Sequence, residues 1–379
     1  MRKYKVVVVD DSAFMRKVIS DIIDSSNEFV VVAKFRNGIE LIDNVDIYKP
    51  DIITLDIEMP KMNGLETLKE LKKQNKNYSV IMLSSLTKEG SDKTMECLEN
   101  GAVDFIAKPS NAFNNINEIQ EVILSKLKAV SSILLNKEVK KQMNKNYCNT
   151  KQVKEKEIPI SNKRFDAVVI GASTGGPRAL QKVLMQIDGN IDVPIFVVQH
   201  MPSGFTKAFA DRLDKLCKLK VVEAEDGMNI NSNTIYIAKG GKHMLVGKNK
   251  KIELSDEPAI WGVKPAVDKL FFSAVNVYGG NLLAVILTGM GRDGADGIVK
   301  VKNAGGITIS EDESTCTIYG MPKAAYETGK VDMVLELQKI GDKINQVVKG
   351  RWEKWILKNS MNGCIEKLEL IYLHISQHN

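Results

Sequence analysis

Short apolar runs alternate with longer amphipathic stretches over the first part of the chain. The runs are rich in Val, Ile and Leu and predict buried strands, whereas the stretches between them have apolar residues at helical spacing. The predicted strands are Lys5–Val9, Val30–Phe35, Asp51–Leu55, Val80–Leu83 and Phe105–Ala107, and the predicted helices are Ala13–Ser25, Gly38–Val45, Gly64–Lys73, Lys93–Asn100 and Ile116–Leu135. This alternation predicts a doubly wound, flavodoxin-like α/β domain with a five-stranded parallel sheet.

A second alternating pattern begins at Phe165 and predicts another doubly wound, Rossmann-like α/β domain. Its predicted strands are Phe165–Ile170, Ile195–Gln199, Lys220–Glu223, Thr234–Ala238, Met244–Val246, Leu282–Leu287, Gly306–Ser310 and Met333–Leu335. Its predicted helices are Arg178–Ile187, Ala208–Leu216, Val267–Val277, Asp293–Asn303 and Met321–Thr328. A short antiparallel piece is expected around residues 234–255.

Periodicity is lost between the two patterns, where Lys, Asn and Gln dominate. The composition indicates a solvated basic linker over residues 129–163, between domains at 1–128 and 164–350, followed by an atypical tail at 351–379. Nine Lys and Arg against three acidic residues between Lys137 and Arg164 account for the whole net charge of +6. The folded domains are therefore near neutral, and nucleic-acid binding is not expected.

Cysteine spacing and hydropathy suggest the cellular setting. The five cysteines are far apart and form no CxxC or zinc pattern, which favours reduced thiols and a cytoplasmic protein. No apolar stretch approaches the ~20 residues of a membrane span, so the chain is not expected to insert into a bilayer. A monomer is expected.

Polar residues at strand ends form the first candidate site. Asp10 and Asp11 follow the first strand and Asp56 the third, and the carboxyl ends of parallel strands meet at one edge of a sheet. Clustered carboxylates need a cation, and hard oxygen ligands suit Mg²⁺. Ser84 and Lys108 end two further strands and could hold phosphoryl oxygens. For any one aspartate the alternative is a simple helix cap.

The motifs VVVDDS, TLDIEMPKMNG, IMLSS and FIAKPS resemble the response-regulator receiver family over residues 1 to about 128. The resemblance implies that Asp56 accepts the phosphoryl group from a histidine kinase. It implies that Asp10, Asp11, Asp56 and the backbone carbonyl of Glu58 hold Mg²⁺. It also implies that Ser84 and Lys108 contact the phosphoryl group and that Phe105 is the aromatic switch residue.

A glycine-rich turn after the strand at 165–170 forms the second candidate site. Gly171, Ser173 and Gly175 match G-x-S-x-G between a strand and a helix, which is the context of a nucleophile elbow. A phosphate-binding loop is the alternative, although the spacing differs from G-x-G-x-x-G. The motif alone does not separate the two.

A serine nucleophile needs a base and an orienting acid. His200 ends the strand beside the one that carries Ser173, whereas His243 follows a Gly-Gly pair before a short strand. The segment VILTGMGRDGADG ends another strand and offers Asp293 and Asp296. Spacing alone leaves both choices open.

The motifs IGASTGG, QHMPSGFTKAFADRLDKLC, EAEDG, YIAKGGKHM, KPAVDKLFFSA, ILTGMGRDGADG and GMPKAA resemble the catalytic domain of the chemotaxis methylesterase family over residues 165 to about 348. The resemblance implies a serine hydrolase without a cofactor, with Ser173 as nucleophile, His200 as base and Asp293 as orienting acid. It places Thr174 near the site and the N–H of Met290 in the oxyanion hole.

The same resemblance implies that the enzyme removes methyl esters from glutamates, deamidates glutamines on chemoreceptors, and is activated when its receiver is phosphorylated. Two other classes of protein are alternatives to this enzyme. A transcriptional regulator needs a small helical DNA-binding output, which a neutral α/β domain of this size does not match. A receiver fused to a nucleotide-binding domain would use the glycine turns as phosphate loops.

Overall fold

The computed structural model describes residues 3–74, 78–108, 116–143 and 164–349. The predicted tail at 351–379 and most of the predicted linker lie outside these residues. Within them the chain forms two α/β units, called here the first domain and the second domain. No helix in the described ranges is both long enough and apolar enough to cross a bilayer.

The first domain is a parallel sheet in the order β2-β1-β3-β4-β5. Its strands are β1 (Tyr4–Val9), β2 (Phe29–Phe35), β3 (Ile52–Asp56), β4 (Ser79–Ser84) and β5 (Asp104–Ala107). Its helices are α1 (Ala13–Asp24), α2 (Gly38–Tyr48), α3 (Gly64–Lys73), α4 (Lys88–Asn100) and α5 (Ile116–Met143). Strands β3 and β4 are buried at every position because helices cover both faces of the sheet.

The helices of this domain begin where side chains cap them. The side chains of Ser12, Asn37, Asn63 and Thr87 each accept a hydrogen bond from a backbone N–H in the first turn of α1 to α4. Helix α5 continues to Met143, so its predicted end at Leu135 is wrong. The added residues are mostly Lys, Glu and Gln, which favour a helix even where apolar periodicity is lost.

The second domain is a seven-stranded parallel sheet in the order β14-β13-β12-β6-β7-β9-β8. Its strands are β6 (Ala167–Ala172), β7 (Ile195–Gln199), β8 (Lys220–Glu223), β9 (Thr234–Ile237), β12 (Leu282–Ile286), β13 (Ile307–Glu311) and β14 (Met333–Leu335). Its helices are α6 (Gly176–Met185), α7 (Phe205–Leu216), α8 (Val267–Tyr278), α9 (Ala295–Asn303) and α10 (Met321–Glu327). A last helix covers residues 337–349.

Two details of this domain differ from the prediction. The antiparallel piece is the hairpin of β10 (His243–Val246) and β11 (Ile252–Ser255), whereas β9 pairs in parallel with β7 and β8. The last helix was not predicted, although Leu337, Ile340 and Ile344 are buried at helical spacing.

Strands β6, β7 and β12 are central, and their carboxyl ends meet where strand order changes direction.

Candidate active site and acidic pocket

The turn after β6 exposes Ser173 at the entrance of α6. Gly175 has φ +77°, a left-handed conformation that glycine adopts without strain, and this permits the sharp reversal. The N–H of Ser173 donates to the carbonyl of Thr288 at 3.0 Å. Its own carbonyl accepts from the N–H of Gly176 at 2.7 Å and from Gln199 Nε2 at 2.9 Å. The backbone of Ser173 is thus held on both sides.

His200 and Asp293 meet beside this turn. The N–H of His200 donates to the carbonyl of Ala172 at 3.1 Å, so the residue follows β7 next to the end of β6. His200 Nε2 lies 2.8 Å from Asp293 Oδ2. Asp293 also accepts the N–H groups of Val267 at 2.7 Å and Asp268 at 3.0 Å. The carboxylate therefore has a fixed orientation toward the imidazole.

The electrostatics keep Asp293 ionised although it is only 2% exposed. Burial alone would raise the pKa of its carboxyl, but the hydrogen bond and charge of His200, with the two backbone N–H groups, lower that pKa below its ordinary value. An ionised Asp293 that accepts from Nε2 leaves Nδ1 of His200 free to take a proton. Ser173 Oγ makes no hydrogen bond within the described residues, and nucleophile–base contacts commonly tighten only when substrate binds.

The rival residues are occupied elsewhere. His243 is fully buried; its Nδ1 accepts the N–H of Ala266 at 3.1 Å and its Nε2 donates to the carbonyl of Pro258 at 3.0 Å. Asp296 is paired with Arg292 at 3.0 Å on the surface. The N–H groups of Ser173 and Gly176 already donate within the protein, whereas a phosphate loop needs such groups free. The geometry therefore favours His200, Asp293 and a nucleophile turn.

Sequence reasoning did not identify Asp268 as part of this site. Its Oδ1 accepts the N–H of Gly294 at 3.1 Å and of Gly297 at 2.7 Å, and these bonds fix the first turn of α9 directly after Asp293. Burial, and then the charge of Asp293, raises the pKa of Asp268 to about 6. An acidic residue in the first turn of a helix ordinarily indicates favourable interaction with the helix dipole, so no pattern in the sequence marked Asp268 as part of the site.

Thr288 ties the nucleophile turn to the loop after β12. Its Oγ1 lies 3.0 Å from the carbonyl of Thr174 and accepts the N–H of Ile318 at 2.8 Å. The buried carboxylate of Glu311 accepts the N–H of Thr288 at 2.8 Å. The N–H of Met290, two residues further on, donates to no group in the part of the chain described. It is available to a developing oxyanion.

We expect the stability of the protein to depend on the ionisation of Glu311. Burial raises the pKa of this carboxyl to about 7 from an ordinary value of 4.5. The folded state then binds a proton more tightly than the unfolded state, so stability is lost as the pH rises from about 4.5 to about 7. The loss should be roughly 3 kcal/mol over that range. Urea unfolding of the wild-type protein and Glu311→Gln at several pH values measures it, and an equal slope in both would contradict the assignment.

The acidic pocket lies at the carboxyl ends of β1 and β3. Carboxylate oxygens of Asp10, Asp11 and Asp56 all lie within 4.8 Å of one another. Lys108 Nζ is 2.8 Å from Asp10 Oδ2 and 2.7 Å from Asp56 Oδ2, but neither buried oxygen accepts a well-oriented hydrogen bond. Burial raises the pKa of Asp56 to about 6, although the charge of Lys108 opposes this. Three converging oxygens with unused acceptor capacity fit a hard divalent cation.

The other predicted residues of the first domain lie around this pocket. Glu58 is exposed, and its N–H points to Asp56 Oδ1 at 3.4 Å. Ser84 is buried, and its hydroxyl accepts from Thr94 Oγ1 at 2.7 Å, so it faces the start of α4. Phe105 is buried and faces the second domain. Asp10, Asp11, Asp56 and Lys108 are therefore together, whereas Ser84 and Phe105 point elsewhere.

The first domain packs against the second beside the candidate nucleophile. Thr174 Oγ1 donates to Asp104 Oδ2 at 2.7 Å, and Lys126 Nζ contacts the same oxygen at 2.6 Å. The next residue, Phe105, packs on Phe205 of α7 with ring centroids 4.4 Å apart. Helix α4 packs against α6 and α7. These contacts bury Thr174 in the interface.

An ion pair and shared apolar side chains extend the interface. The guanidinium of Arg212 on α7 contacts both carboxylate oxygens of Glu99 on α4. Apolar side chains of both domains meet between these helices; they are Met95, Leu98, Pro177, Phe209, Leu213 and Leu216. Sequence reasoning identified none of the polar residues at this interface except Thr174, because a contact between domains leaves no local pattern.

Comparison with known proteins agrees with both halves of this description. Residues 6–120 match the family model of the response regulator receiver domain, and residues 168–344 match that of CheB methylesterase. The protein-glutamate methylesterase/protein-glutamine glutaminase of Clostridium acetobutylicum is 46% identical over 351 residues, which are 92% of this chain and 99% of the relative. The protein of the same name from Pyrococcus abyssi is 44% identical over 92% of this chain and 94% of the relative. The crystal structure of the Thermotoga maritima CheB methylesterase catalytic domain is 45% identical, covers 48% of this chain and 99% of that chain, and has a TM-score of 0.48.

Proposed function

Because this chain belongs to the protein-glutamate methylesterase/protein-glutamine glutaminase family, we propose that Ser173, His200 and Asp293 hydrolyse glutamate methyl esters and deamidate glutamines on chemoreceptors. The observation that carries the proposal is the 2.8 Å contact between His200 and Asp293 beside the nucleophile turn. A buried, ionised carboxylate aligned on an imidazole is the arrangement that activates a serine.

Each residue has a defined role in the reaction, and His200 acts first as a base and then as an acid. Ser173 Oγ attacks the ester carbonyl carbon while His200 takes its proton, and Asp293 stabilises the imidazolium that forms. The N–H of Met290 stabilises the oxyanion, and one such donor is worth about 3 to 4 kcal/mol in the transition state. His200 returns the proton to the leaving methanol. Water then attacks the acyl-enzyme by the same path and releases glutamate; with glutamine, ammonia leaves instead of methanol.

The first domain is a receiver, and we propose that Asp56 accepts the phosphoryl group. Asp10, Asp11, Asp56 and the carbonyl of Glu58 would hold Mg²⁺, whose charge supports phosphoryl transfer to a carboxylate. Lys108 lies 2.7 Å from Asp56 and would contact the phosphoryl oxygens, and Ser84 would turn toward them. A histidine kinase is the donor that a receiver implies.

Strand β5 offers a route from this pocket to the hydrolase. Lys108 follows its carboxyl end and contacts Asp56, while Asp104 and Phe105 at its start contact Thr174 and Phe205. Phosphorylation adds about −1.5 to −2 charge and strong acceptors at Asp56. Movement of Lys108 toward that group shifts β5 and weakens the contacts that hold Thr174. The receiver is thus a gate over the nucleophile turn.

The direct test is methanol release from methylated receptor membranes, with and without a small phosphodonor and Mg²⁺. We expect methanol in both cases and a rise of roughly 5- to 150-fold with the phosphodonor, the usual range of coupling between two sites. Asp56→Asn should keep the basal rate and lose the response. No methanol under either condition would overturn the esterase activity, and an equal response in Asp56→Asn would overturn the gate.

A variant of the interface separates the gate from the phosphorylation chemistry. Arg212→Ala removes the ion pair with Glu99 and should raise the basal rate without a phosphodonor. Lys207→Ala on the same helix is the matched control, because its partner Asp211 also lies on α7. Equal basal rates in the two variants would argue against inhibition through this interface.

A further inference from the structure

Trp261 occupies an unusual position near the candidate active site. It is the first residue of a two-residue turn, Trp261–Gly262, closed by hydrogen bonds between Ile260 and Val263 at 3.2 and 3.0 Å. Both turn residues have positive φ, +54° for Trp261 and +75° for Gly262. The tryptophan side chain remains 51% exposed.

Local physical chemistry does not favour tryptophan there. Two-residue turns with positive φ at both positions select Asn-Gly or Gly-Gly. A left-handed conformation strains a residue with a Cβ, and an exposed indole offsets little of this strain by burial. Residues with an unfavourable backbone conformation that no local contact offsets are concentrated at functional sites.

The indole is nevertheless fixed in place, and its anchors lead to the active site. Its Nε1 donates to Asp268 Oδ2 at 3.2 Å, and the N–H of Asp268 donates to Asp293 Oδ1 at 3.0 Å. The guanidinium of Arg292 stacks on its ring at 4.6 Å from the centroid. Arg292 directly precedes Asp293 in the chain. The exposed ring is therefore rigid and stands at the rim of the catalytic groups.

Three exposed side chains form this rim, and we call them the aromatic ridge: Trp261, Met290 and Arg292. Met290, whose N–H is proposed to bind the oxyanion, is 42% exposed, and the side chain of Arg292 is 53% exposed. Tryptophan and arginine are the residues most enriched among those that dominate binding energy at protein interfaces. A rigid aromatic anchor also loses little conformational entropy on binding.

We propose that the aromatic ridge binds the segment of the receptor that flanks the scissile side chain. The inference rests on the proposed function, because both reactions turn a receptor side chain into glutamate. The partner is therefore the protein segment that carries the reacting side chain. Its apolar side chains pack on Trp261 and Met290, and its acceptor groups reach the guanidinium of Arg292, which Asp296 shares.

Within the described ranges, the first domain contacts the second at Thr174, α6 and α7, and none of these belongs to the ridge. Trp261 is half exposed while those contacts are in place. The ridge therefore contributes to receptor binding equally before and after the gate opens, and its loss changes the KM by the same factor with and without a phosphodonor.

The experiment compares two substrates of different size. Trp261→Ala is assayed on methylated receptor membranes and on an N-acetylated glutamate γ-methyl ester, which is too small to reach the ridge. We expect the KM for membranes to rise about tenfold or more, as for other interface anchors, and kcat/KM for the small ester to fall less than about threefold, too little for a lost catalytic contact. Met185→Ala, which removes an apolar side chain as exposed as that of Met290 but at the far end of α6, should leave both unchanged.

A second variant separates binding from positioning. Trp261→Phe keeps an aromatic face but loses the N–H that reaches Asp268, so it should keep most of the affinity for membranes. Parallel loss of kcat on both substrates, in Trp261→Ala and in Trp261→Phe, would show that Trp261 acts through Asp268, and would overturn the ridge. An unchanged KM for membranes would also overturn it. Absence of methanol from both substrates with the wild-type enzyme would instead overturn the proposed function.

Discussion

Ser173→Ala should lower methanol release from methylated receptor membranes by at least about 10⁴-fold. Removal of a nucleophile leaves only the binding and oxyanion contributions of a serine hydrolase, so the loss is of the order measured for other triads. The fold should persist, because Ser173 Oγ makes no hydrogen bond within the described residues and the Ser173 side chain is only partly buried. The backbone of Ser173 donates to Thr288 and accepts from Gln199, and these bonds that hold the turn do not involve the hydroxyl.

Two measurements make this result specific. Thermal unfolding of Ser173→Ala should match the wild-type curve within a few degrees, as expected for a partly exposed substitution. Ser232→Ala, an exposed serine in a turn before β9, is the control and should keep full activity. Ammonia release from receptor glutamines should fall together with methanol release, because one acyl-enzyme serves both reactions. Undiminished methanol release from Ser173→Ala would exclude the serine mechanism.

Much of the architecture follows from local patterns. A buried parallel strand has a short apolar run, and polar residues after such a run must lie at the carboxyl edge of the sheet. This reasoning alone predicted that Asp10, Asp11 and Asp56 converge, and they do. It also predicted that Ser173 and His200 follow neighbouring strands, which the pairing of β6 with β7 confirms.

Local patterns could not distinguish residues whose roles depend on tertiary burial. His200 and His243 both stand beside strands, and only the fold shows that two backbone groups occupy the ring nitrogens of His243. Asp268 and Glu311 are acidic residues that would ordinarily be solvated, but both are buried and accept backbone N–H groups that are distant in the sequence. Sequence spacing has no information on such contacts.

The interface between the domains was equally beyond sequence reasoning. Phe105 was predicted to be the aromatic switch residue, and the sequence did not show that its ring packs on Phe205 of the second domain. Asp104 carries the hydrogen bond from Thr174, one residue from Ser173. Phe105, the predicted switch residue, and Asp104, which holds Thr174, are therefore adjacent on β5. Strand β5 is short and pairs with β4 along its length. A small displacement at one end of β5 can therefore reach the other end.

Asp293→Asn should lower methanol release by about 10³- to 10⁴-fold, although it replaces only one carboxylate oxygen with an NH₂ group. Val267 and His200 bond to Oδ2 and Asp268 bonds to Oδ1, so an asparagine places its NH₂ group against a backbone N–H in either orientation. With the NH₂ group at the Oδ2 position, it also faces His200 Nε2 and needs an acceptor there. The imidazole must then carry its proton on Nδ1, which has no lone pair to receive the proton of Ser173.

The loss has a second cause that acts in the transition state. The imidazolium formed during attack has an ionised carboxylate 2.8 Å away in the wild-type enzyme and a neutral amide in the variant. Asp296→Asn is the matched control, because Asp296 lies on the same loop-to-helix turn but pairs with Arg292 at the surface. That control should stay within about twofold of the wild-type rate, as exposed ion pairs contribute little. Equal rates for the two variants, with intact unfolding curves, would mean that Asp293 does not orient His200 and that the base is held by another group.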